Sequence, residues 1–381
     1  MRTLQSRIVS VIIVAVLTAA AAWTTQADTA VESSGMAQTA PDLIFWYDDS
    51  TYDTFFTEAA AAYLAETGIK VQPQYIGELE YLQTVYDSTM EDGVYPDVWL
   101  VSADCLETAY LCGLAARNEK GESYAQTPEN ARRAASYGDK LLGYPLSFNT
   151  CVFVYQSSYF EKAPSTMQEI IDYSNENEPG ENVEYLVEWD VKDPFYDFPF
   201  VANSITFETD GGGQLRVVRD EEKYSRDLEF FETLLAAFSV NAETVSEEAV
   251  LENFKAGKTL CAILDTDSLC QLEDYADSVT QIPDLNEELN TSVCAMTDLL
   301  VVNDFSEKQQ LAADFAEFVT VDFAPHLHET SGHYSVFLPE QADRMAQTAF
   351  EVYKDAILAP SSQAAADFWI DLKETMTGYF E

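Results

Sequence analysis

"LLGYPLSFNTCVFVYQSSYF", residues 141–160, is a long, β-rich stretch near the middle of the chain. Apolar runs lie on either side of its polar centre, "SFNT", and Tyr144-Pro145 stands at one end. A strand that passes from one packed lobe into another has this pattern, because each end is buried in a different core. We therefore predict that residues 141–160 cross between two lobes.

On both sides of this stretch, short apolar runs alternate with amphipathic helical segments. The predicted strands are "LIFWY" (43–47), "IKVQPQYI" (69–76), "DVWLVS" (97–102), "TLCAILD" (259–265) and "SVCAMTDLLVVN" (292–303). Helical patterns separate most of them; one example is "YDTFFTEAAAAYLAETG" (52–68), which ends at a glycine. Strands that alternate with helices predict an α/β fold.

The composition indicates a packed, strongly acidic globular protein. The 381 residues are enough for two domains, and 47% of them are hydrophobic. The 66 acidic and 20 basic residues give a formal net charge of −46, which would repel nucleic-acid phosphates and anionic lipid headgroups. We predict no nucleic-acid partner. Solubility is the simplest explanation of the charge, and a cationic ligand is the alternative.

The first 27 residues have the pattern of a targeting segment. Arg2 and Arg7 precede an apolar run, residues 8–23, that is short for a membrane span but suits a secretory signal. Residues 1–27 are therefore predicted to be a signal peptide or an uncleaved N-terminal anchor, and residues 28–41 a flexible leader. We expect an exported protein that is extracellular or associated with the cell surface.

Cysteines and histidines give no sign of a disulfide or metal framework. Cys105 and Cys112 are predicted to share a helix about 10 Å apart, too far for a bridge. Most of the others lie in apolar runs, so free thiols are expected. The only histidines, His326, His328 and His333, are close in sequence, but "APHLHETSGHYS" is more typical of a helix end and loop than of a metal site. We predict neither a cofactor nor a metal.

Four segments, in this order and spacing, resemble a known family. They are "ETGIKV" (66–71), "YPDVWLVSADCLETAYLCGLAARN" (95–118), "GYPLSFNTCVFVYQSSYF" (143–160) and "FKAGKTLCAILD" (254–265). The chain resembles, from about residue 42 to its C-terminus, the extracellular solute-binding proteins of bacterial ABC importers, specifically the maltodextrin-binding type of family 1.

The resemblance implies a two-lobed α/β fold of the periplasmic-binding-protein type (type II), with a ligand cleft between discontinuous lobes. The expected N-terminal lobe comprises residues 42–148 and 294–338, and the expected C-terminal lobe comprises residues 149–293 and 339–381. The implied function is non-enzymatic: a monomer captures a carbohydrate, specifically an oligosaccharide, by hinge closure and delivers it to a membrane permease.

Candidate ligand residues of the first lobe follow two of the predicted strands. The resemblance places Tyr47, Asp48 and Asp49 on the loop after the first strand, and Asp104 after the third. Carboxylates accept hydrogen bonds from sugar hydroxyls, and aromatic faces cover the apolar C–H patches of sugar rings. The alternative for these carboxylates is helix N-capping. The aromatic residue that the family has just before Asp104 is absent.

Candidate residues of the second lobe lie in three places. Asn149 matches an acidic ligand residue of the family in the hinge region. Asp193, Phe195 and Tyr196 match an acidic and aromatic cluster that stacks on sugar; the alternative is that this block packs under a loop. Asp265 and Asp267 follow "TLCAILD", where the family often has an aromatic residue.

Two other functions remain open. A cationic solute such as a polyamine would suit aromatics and carboxylates through cation–π contacts and ion pairs. A glycoside-processing enzyme would need two carboxyl groups at a defined separation, which a sequence does not show. No G-x-S-x-G, P-loop, G-x-G-x-x-G or H-E-x-x-H motif is present.

Overall fold

The structure is a computed structural model that describes residues 40–77, 79–91, 93–209, 215–238, 240, 246–338, 342–360 and 363–380. Its strands are, in chain order, β1 (Leu43–Tyr47), β2 (Val71–Tyr75), β3 (Val98–Ser102), β4 (Ser136–Tyr137), β5 (Lys140–Leu141), β6 (Gly143–Tyr155), β7 (Tyr185–Glu188), β8 (Ile205–Thr209), β9 (Leu215–Arg219), β10 (Thr259–Asp265), β11 (Val279–Thr280), β12 (Cys294–Val302), β13 (Tyr334–Ser335) and β14 (Ile357–Leu358). The signal segment and most of the leader lie outside the described residues.

The α-helices fill the connections between these strands. They are α1 (Asp53–Thr67), α2 (Tyr81–Met90), α3 (Leu106–Leu111), α4 (Glu129–Ala134), α5 (Met167–Glu176), α6 (Pro194–Asp197), α7 (Glu221–Phe238), α8 (Glu247–Lys255), α9 (Gln309–Glu317), α10 (Leu327–Ser331), α11 (Arg344–Asp355) and α12 (Gln363–Thr377). Within the described part of the chain, no helix is both long and apolar enough to span a membrane.

Strand β6 joins the two halves of the structure. The strand order is β2-β1-β3-β12-β6-β10-β7, with β1 parallel to β2 and β3 and with β6 antiparallel to both of its neighbours on this path. Residues 143–150 of β6 pair with β12, whereas residues 151–155 pair with β10. The predicted crossing strand is therefore confirmed, and Asn149 lies close to the point where the pairing changes.

The N-terminal half has an apolar core on each face of its sheet. Successive side chains of a strand point to opposite faces. Accordingly, Phe45 packs with Phe56 and Phe315 on one face, while Trp46 and Trp99 pack on the other. The burial of both faces explains why β1 and β3 read as continuous apolar runs in the sequence.

The C-terminal half has a single large core around the second part of β6. Phe153, Phe198 and Trp369 are among its buried members. Residues 194–200 form the short helix α6 and a 3-10 turn. Pro194 is the first residue of α6, a position where a proline needs no backbone N–H partner. All six cysteines are free thiols.

Candidate functional site

The loop that follows β1 makes a tight polar turn. Asp49 caps the 3-10 turn Ser50–Tyr52, because its carboxylate accepts hydrogen bonds from the Thr51 backbone N–H (2.9 Å) and from the Thr51 hydroxyl (2.7 Å). The prediction that one of the polar residues here caps a helix is confirmed for Asp49. Asp49 remains half-buried and Thr51 is exposed, so both are accessible from solvent.

The loop that follows β10 carries two more carboxylates, and an amide from β6 joins them. Asn149 donates through Nδ2 to Asp265 Oδ2 (2.9 Å) and to Asp267 Oδ2 (2.8 Å). Asp265 also caps the 3-10 turn Thr266–Gln271 by accepting from the Ser268 N–H. The structure thus brings together three residues that were predicted separately, one at the crossing strand and two at the end of β10.

His333 connects these two loops. Its Nε2 lies 2.7 Å from the Thr51 hydroxyl, and its Nδ1 lies 2.8 Å from Asp267 Oδ1. The imidazole also stacks on the Tyr52 ring, with 4.2 Å between centroids and 10° between planes. A continuous chain of polar contacts therefore leads from Asp49 to Asp267. We call residues Asp49, Thr51, Tyr52, Asn149, Asp265, Asp267, Asp298 and His333 the hinge network.

Strand β12 contributes Asp298 to the hinge network. The Tyr52 hydroxyl donates to Asp298 Oδ2 (2.9 Å) and lies 2.6 Å from the Ser147 hydroxyl of β6. The hinge network thus collects groups from the ends of β1 and β10 and from both strands that run between the halves. Positions in different parts of the sequence meet here because β6 and β12 pair side by side.

Burial and charge act in opposite directions on His333. Burial alone would lower its pKa, but the carboxylates of Asp267, Asp49 and Asp298 favour the imidazolium and raise the pKa of His333 to about 9. Burial raises the pKa of Asp267, an effect that the charge of His333 opposes. The charge of each group therefore favours the charged form of the other.

Glu247 forms a carboxyl pair with Asp265 of the hinge network. Glu247, the first residue of α8, is next to Asp265, and its pKa is raised to about 9 by burial and then by the charge of Asp265. Hydrogen bonds from Ser268 and Tyr196 act against this rise. The raised pKa favours the neutral, protonated form of Glu247 beside Asp265.

Tyr47 is placed in the core, away from the hinge network. It points to the same face of the sheet as Phe45, two residues earlier, and its ring centroid lies 5.0 Å from that of Phe56. Its ring is 5% exposed, and its hydroxyl is hydrogen-bonded to Asp53. The structure favours packing for Tyr47, whereas its neighbour Asp48 is half-buried at the end of the strand.

Asp104 lies in the 3-10 turn Ala103–Cys105 and does not cap α3. The N-cap position of α3 is Cys105, which makes no side-chain capping bond. Asp104 lies near Cys294. Burial is the main cause of the raised pKa of the Cys294 thiol, and the charge of Asp104 raises it further. Asp104 is therefore not the N-cap of α3, contrary to the capping alternative.

The acidic and aromatic cluster of the second half is almost completely buried. Asp193 caps α6 by accepting from the Phe195 N–H (3.0 Å), and Phe195 and Tyr196 pack edge to face with 5.5 Å between centroids. The three residues are 7%, 3% and 4% exposed. In this conformation their rings offer no open face, and Tyr196 approaches the hinge network at Asp265, beside Glu247.

Sequence reasoning missed the residue at the centre of the hinge network. The sequence predicts a helix end and loop around His333, and this residue does follow the last residue of α10 and Gly332, which has a positive φ of 81°. Its partners Thr51 and Asp267 are 282 and 66 residues away in sequence, so no local pattern indicates them. Among the described residues, no group of His, Cys, Asp or Glu side chains is arranged to hold a metal ion.

Two α/β lobes joined by crossing strands, with polar groups from both meeting at the hinge, define a two-lobed binding protein. The chain belongs to the family of bacterial extracellular solute-binding proteins, whose family model matches residues 58–322. The protein is therefore exported, and its family is one of binding proteins rather than enzymes. No curated protein matches the sequence closely enough to count as a relative.

Solved structures with the same fold support this assignment. An extracellular solute-binding protein from Staphylococcus aureus, in complex with maltose, is 17% identical with a TM-score of 0.73, covering 90% of this chain and 98% of that chain. A Thermus thermophilus maltotriose-binding protein with maltotriose is 17% identical with a TM-score of 0.69 (89% and 94%). A cyclo/maltodextrin-binding protein with maltotetraose is also 17% identical, with a TM-score of 0.73 (91% and 93%).

Proposed function

We propose that this protein is the solute-binding component of a bacterial ABC importer and that its solute is a carbohydrate, an oligosaccharide of the maltose type. The two lobes close over the solute and present it to a permease in the membrane. The observation that carries the proposal is the hinge network, in which half-buried oxygen acceptors from both lobes meet beside the crossing strands.

Family and fold support a sugar as the solute. The three similar structures hold maltose, maltotriose and maltotetraose, and this chain has their two-lobed fold. Asp49, Asn149 and Asp267 are half-buried and provide carboxylate and amide groups of the kind that bind sugar hydroxyls. Asp48 and Asp104, at the ends of β1 and β3, would extend the same surface on the N-terminal lobe.

The buried cluster would join the site in a different way. Asp193, Phe195 and Tyr196 have no open face in this conformation, so we propose that they contact solute only after the lobes move relative to each other. Asp265, which belongs to the hinge network, lies close enough to Tyr196 for its charge to raise the pKa of that hydroxyl. A cleft closes when the closed state makes contacts with the solute that the open state lacks.

We propose that the lobes comprise residues 42–148 with 294–338 and residues 149–293 with 339–381. The separate apolar cores support this division, as does the change of partners along β6. The hinge would include residues near Asn149 of β6 and Met296 of β12, which pair with each other. Residues 1–27 would direct export and either be removed or hold the protein at the cell surface.

The test is a thermal-shift and calorimetry panel of maltose, maltotriose, maltotetraose, unrelated glycans and spermidine. A solute that binds the folded protein raises its Tm. Asp267→Asn should weaken binding of the solute found, and Glu58→Gln, on the exposed face of α1, is a control that removes the same charge far from the hinge network.

The panel distinguishes the possible functions. A maltose-type oligosaccharide that raises the Tm of the wild type supports the proposal, provided that Asp267→Asn is folded and binds at least about tenfold more weakly, about 1.4 kcal/mol. Stabilisation by spermidine alone would refute a sugar solute. Hydrolysis of any glycan by the purified protein would show an enzyme instead.

A further inference from the structure

The hydrogen-bond geometry around His333 fits a positively charged ring. The Thr51 hydroxyl has one hydrogen, and that hydrogen points to Asp49 Oδ1 at 2.7 Å. The same hydroxyl can then only accept from His333 Nε2, so Nε2 carries a hydrogen. Nδ1 faces a carboxylate oxygen of Asp267, which also requires a donor. With the Thr51 hydroxyl donating to Asp49, both ring nitrogens are donors, and an imidazole with two N–H groups is positively charged.

This cation is more deeply buried than the anions around it. The His333 side chain is 7% exposed, whereas that of Asp267 is 28% exposed and Asp49 and Asp298 are half-buried. The charges of all three carboxylates favour the imidazolium, and the face of the Tyr52 ring lies against it. These are the groups that hold a bound organic cation: carboxylates around it and an aromatic face beneath it.

We propose that His333 determines the class of solute, because its imidazolium occupies the position among Asp49, Asp267 and Asp298 that the ammonium group of a cationic solute would otherwise take. The inference rests on the proposed function, a cleft that binds a neutral oligosaccharide. With His333 in place, each oxygen of Asp267 already has a donor, His333 on one and Asn149 on the other.

Removal of the imidazolium should reverse this preference. A neutral residue at position 333 leaves the carboxylates facing one another across a partly desolvated space, where like charges repel strongly. A small residue also opens a space of about the size of the imidazole beside the Tyr52 ring. An external ammonium ion would restore both the charge and the cation–π contact.

The first experiment is carried out on the wild type. Nitrogen-15 NMR of the histidine side chains at pH 7 reports whether both nitrogens of the His333 ring are protonated, with His333→Gln used to assign the signals. We expect an imidazolium. A neutral His333 ring would overturn the inference whatever the variants do.

The second experiment measures Kd for spermidine, with maltotriose as the neutral probe, on the wild type, His333→Ala, His333→Gln and His333→Ala/Asp267→Asn. We expect spermidine to bind His333→Ala at least about tenfold more tightly than it binds the wild type. High salt should abolish the gain, and the added Asp267→Asn change should reduce it. His333→Gln, which keeps an N–H donor without the charge, separates the effect of charge from that of space.

The outcomes for His333 and for the proposed function are separate. Equal spermidine affinity in the wild type and in both single variants overturns the role of His333, even if maltotriose binds the wild type. A wild type that binds no oligosaccharide, together with variants that gain spermidine affinity, overturns the proposed solute and retains the role of His333 in excluding cations.

Discussion

The charge on His333 predicts how stability depends on pH. In the unfolded chain a histidine releases its proton near pH 6.5, whereas in the folded protein His333 keeps it until about pH 9. Between these two values the folded state binds one more proton than the unfolded state. The stabilisation from this group is therefore complete below about pH 6.5, and it is lost as the pH rises through about 9.

The size of the effect follows from the two pKa values. Each unit of pKa difference corresponds to about 1.4 kcal/mol, so the free energy of unfolding should fall by about 3 kcal/mol across this window because of His333. With 7% of the side chain exposed, solvent screens the pair little. Glu247 also has a pKa raised to about 9, which adds a decrease of the same sign. A variant that lacks only the histidine is therefore needed to isolate its share.

The assay is urea unfolding, followed by intrinsic fluorescence, at pH values from about 6 to about 10 for the wild type and His333→Gln. The quantity of interest is the difference between the two free energies of unfolding at each pH, because the contribution of Glu247 is common to both proteins. We expect this difference to shrink by about 3 kcal/mol between pH 6.5 and 9. A difference that stays constant across that range would refute the assignment of a buried imidazolium.

Two further predictions concern the surroundings of His333. Glu247→Gln replaces a carboxyl group whose raised pKa favours its protonated form by a neutral amide. The free energy of unfolding at pH 8, measured by urea unfolding, should therefore be unchanged or higher by about 1 kcal/mol. A clear loss of stability would contradict a protonated Glu247. Gly332→Ala should cost more than about 1 kcal/mol, because its φ is 81° and a Cβ would lie 3.1 Å from Cys270 Sγ. Gly138→Ala, with a φ of 61° and open space around it, measures the backbone cost alone, and equal losses of Tm would exclude a clash at position 332.

Elements that are buried on both faces were the easiest to predict from sequence. Strand β10 has the predicted bounds, Thr259–Asp265, because a continuous apolar run between polar segments has few other ways to be buried. The block around Pro194 was harder to predict. A proline disfavours the interior of a helix but favours its first residue, and only the structure shows that α6 begins there.

The residues of the candidate site that follow strand ends could be predicted from the sequence. The residues that reach the site through long-range packing could not. Asp49, Asn149 and Asp267 do meet in the hinge network, although their contact with a solute remains a prediction. The family resemblance implies a ligand role for Tyr47, whereas the alternation of β1 directs its side chain to the core beside Phe45. His333 could not be inferred, because its partners come from loops that only the folded chain brings near it.

The position of β12 also affects when the protein can fold. This strand lies between β3 and β6, so the sheet of the N-terminal half is completed by residues 294–302, about three quarters of the way along the chain. Until those residues have been synthesised, the edge of β3 that pairs with β12 has no partner. This order suits an exported chain, because the sheet of the N-terminal half stays incomplete until about three quarters of the chain has been synthesised.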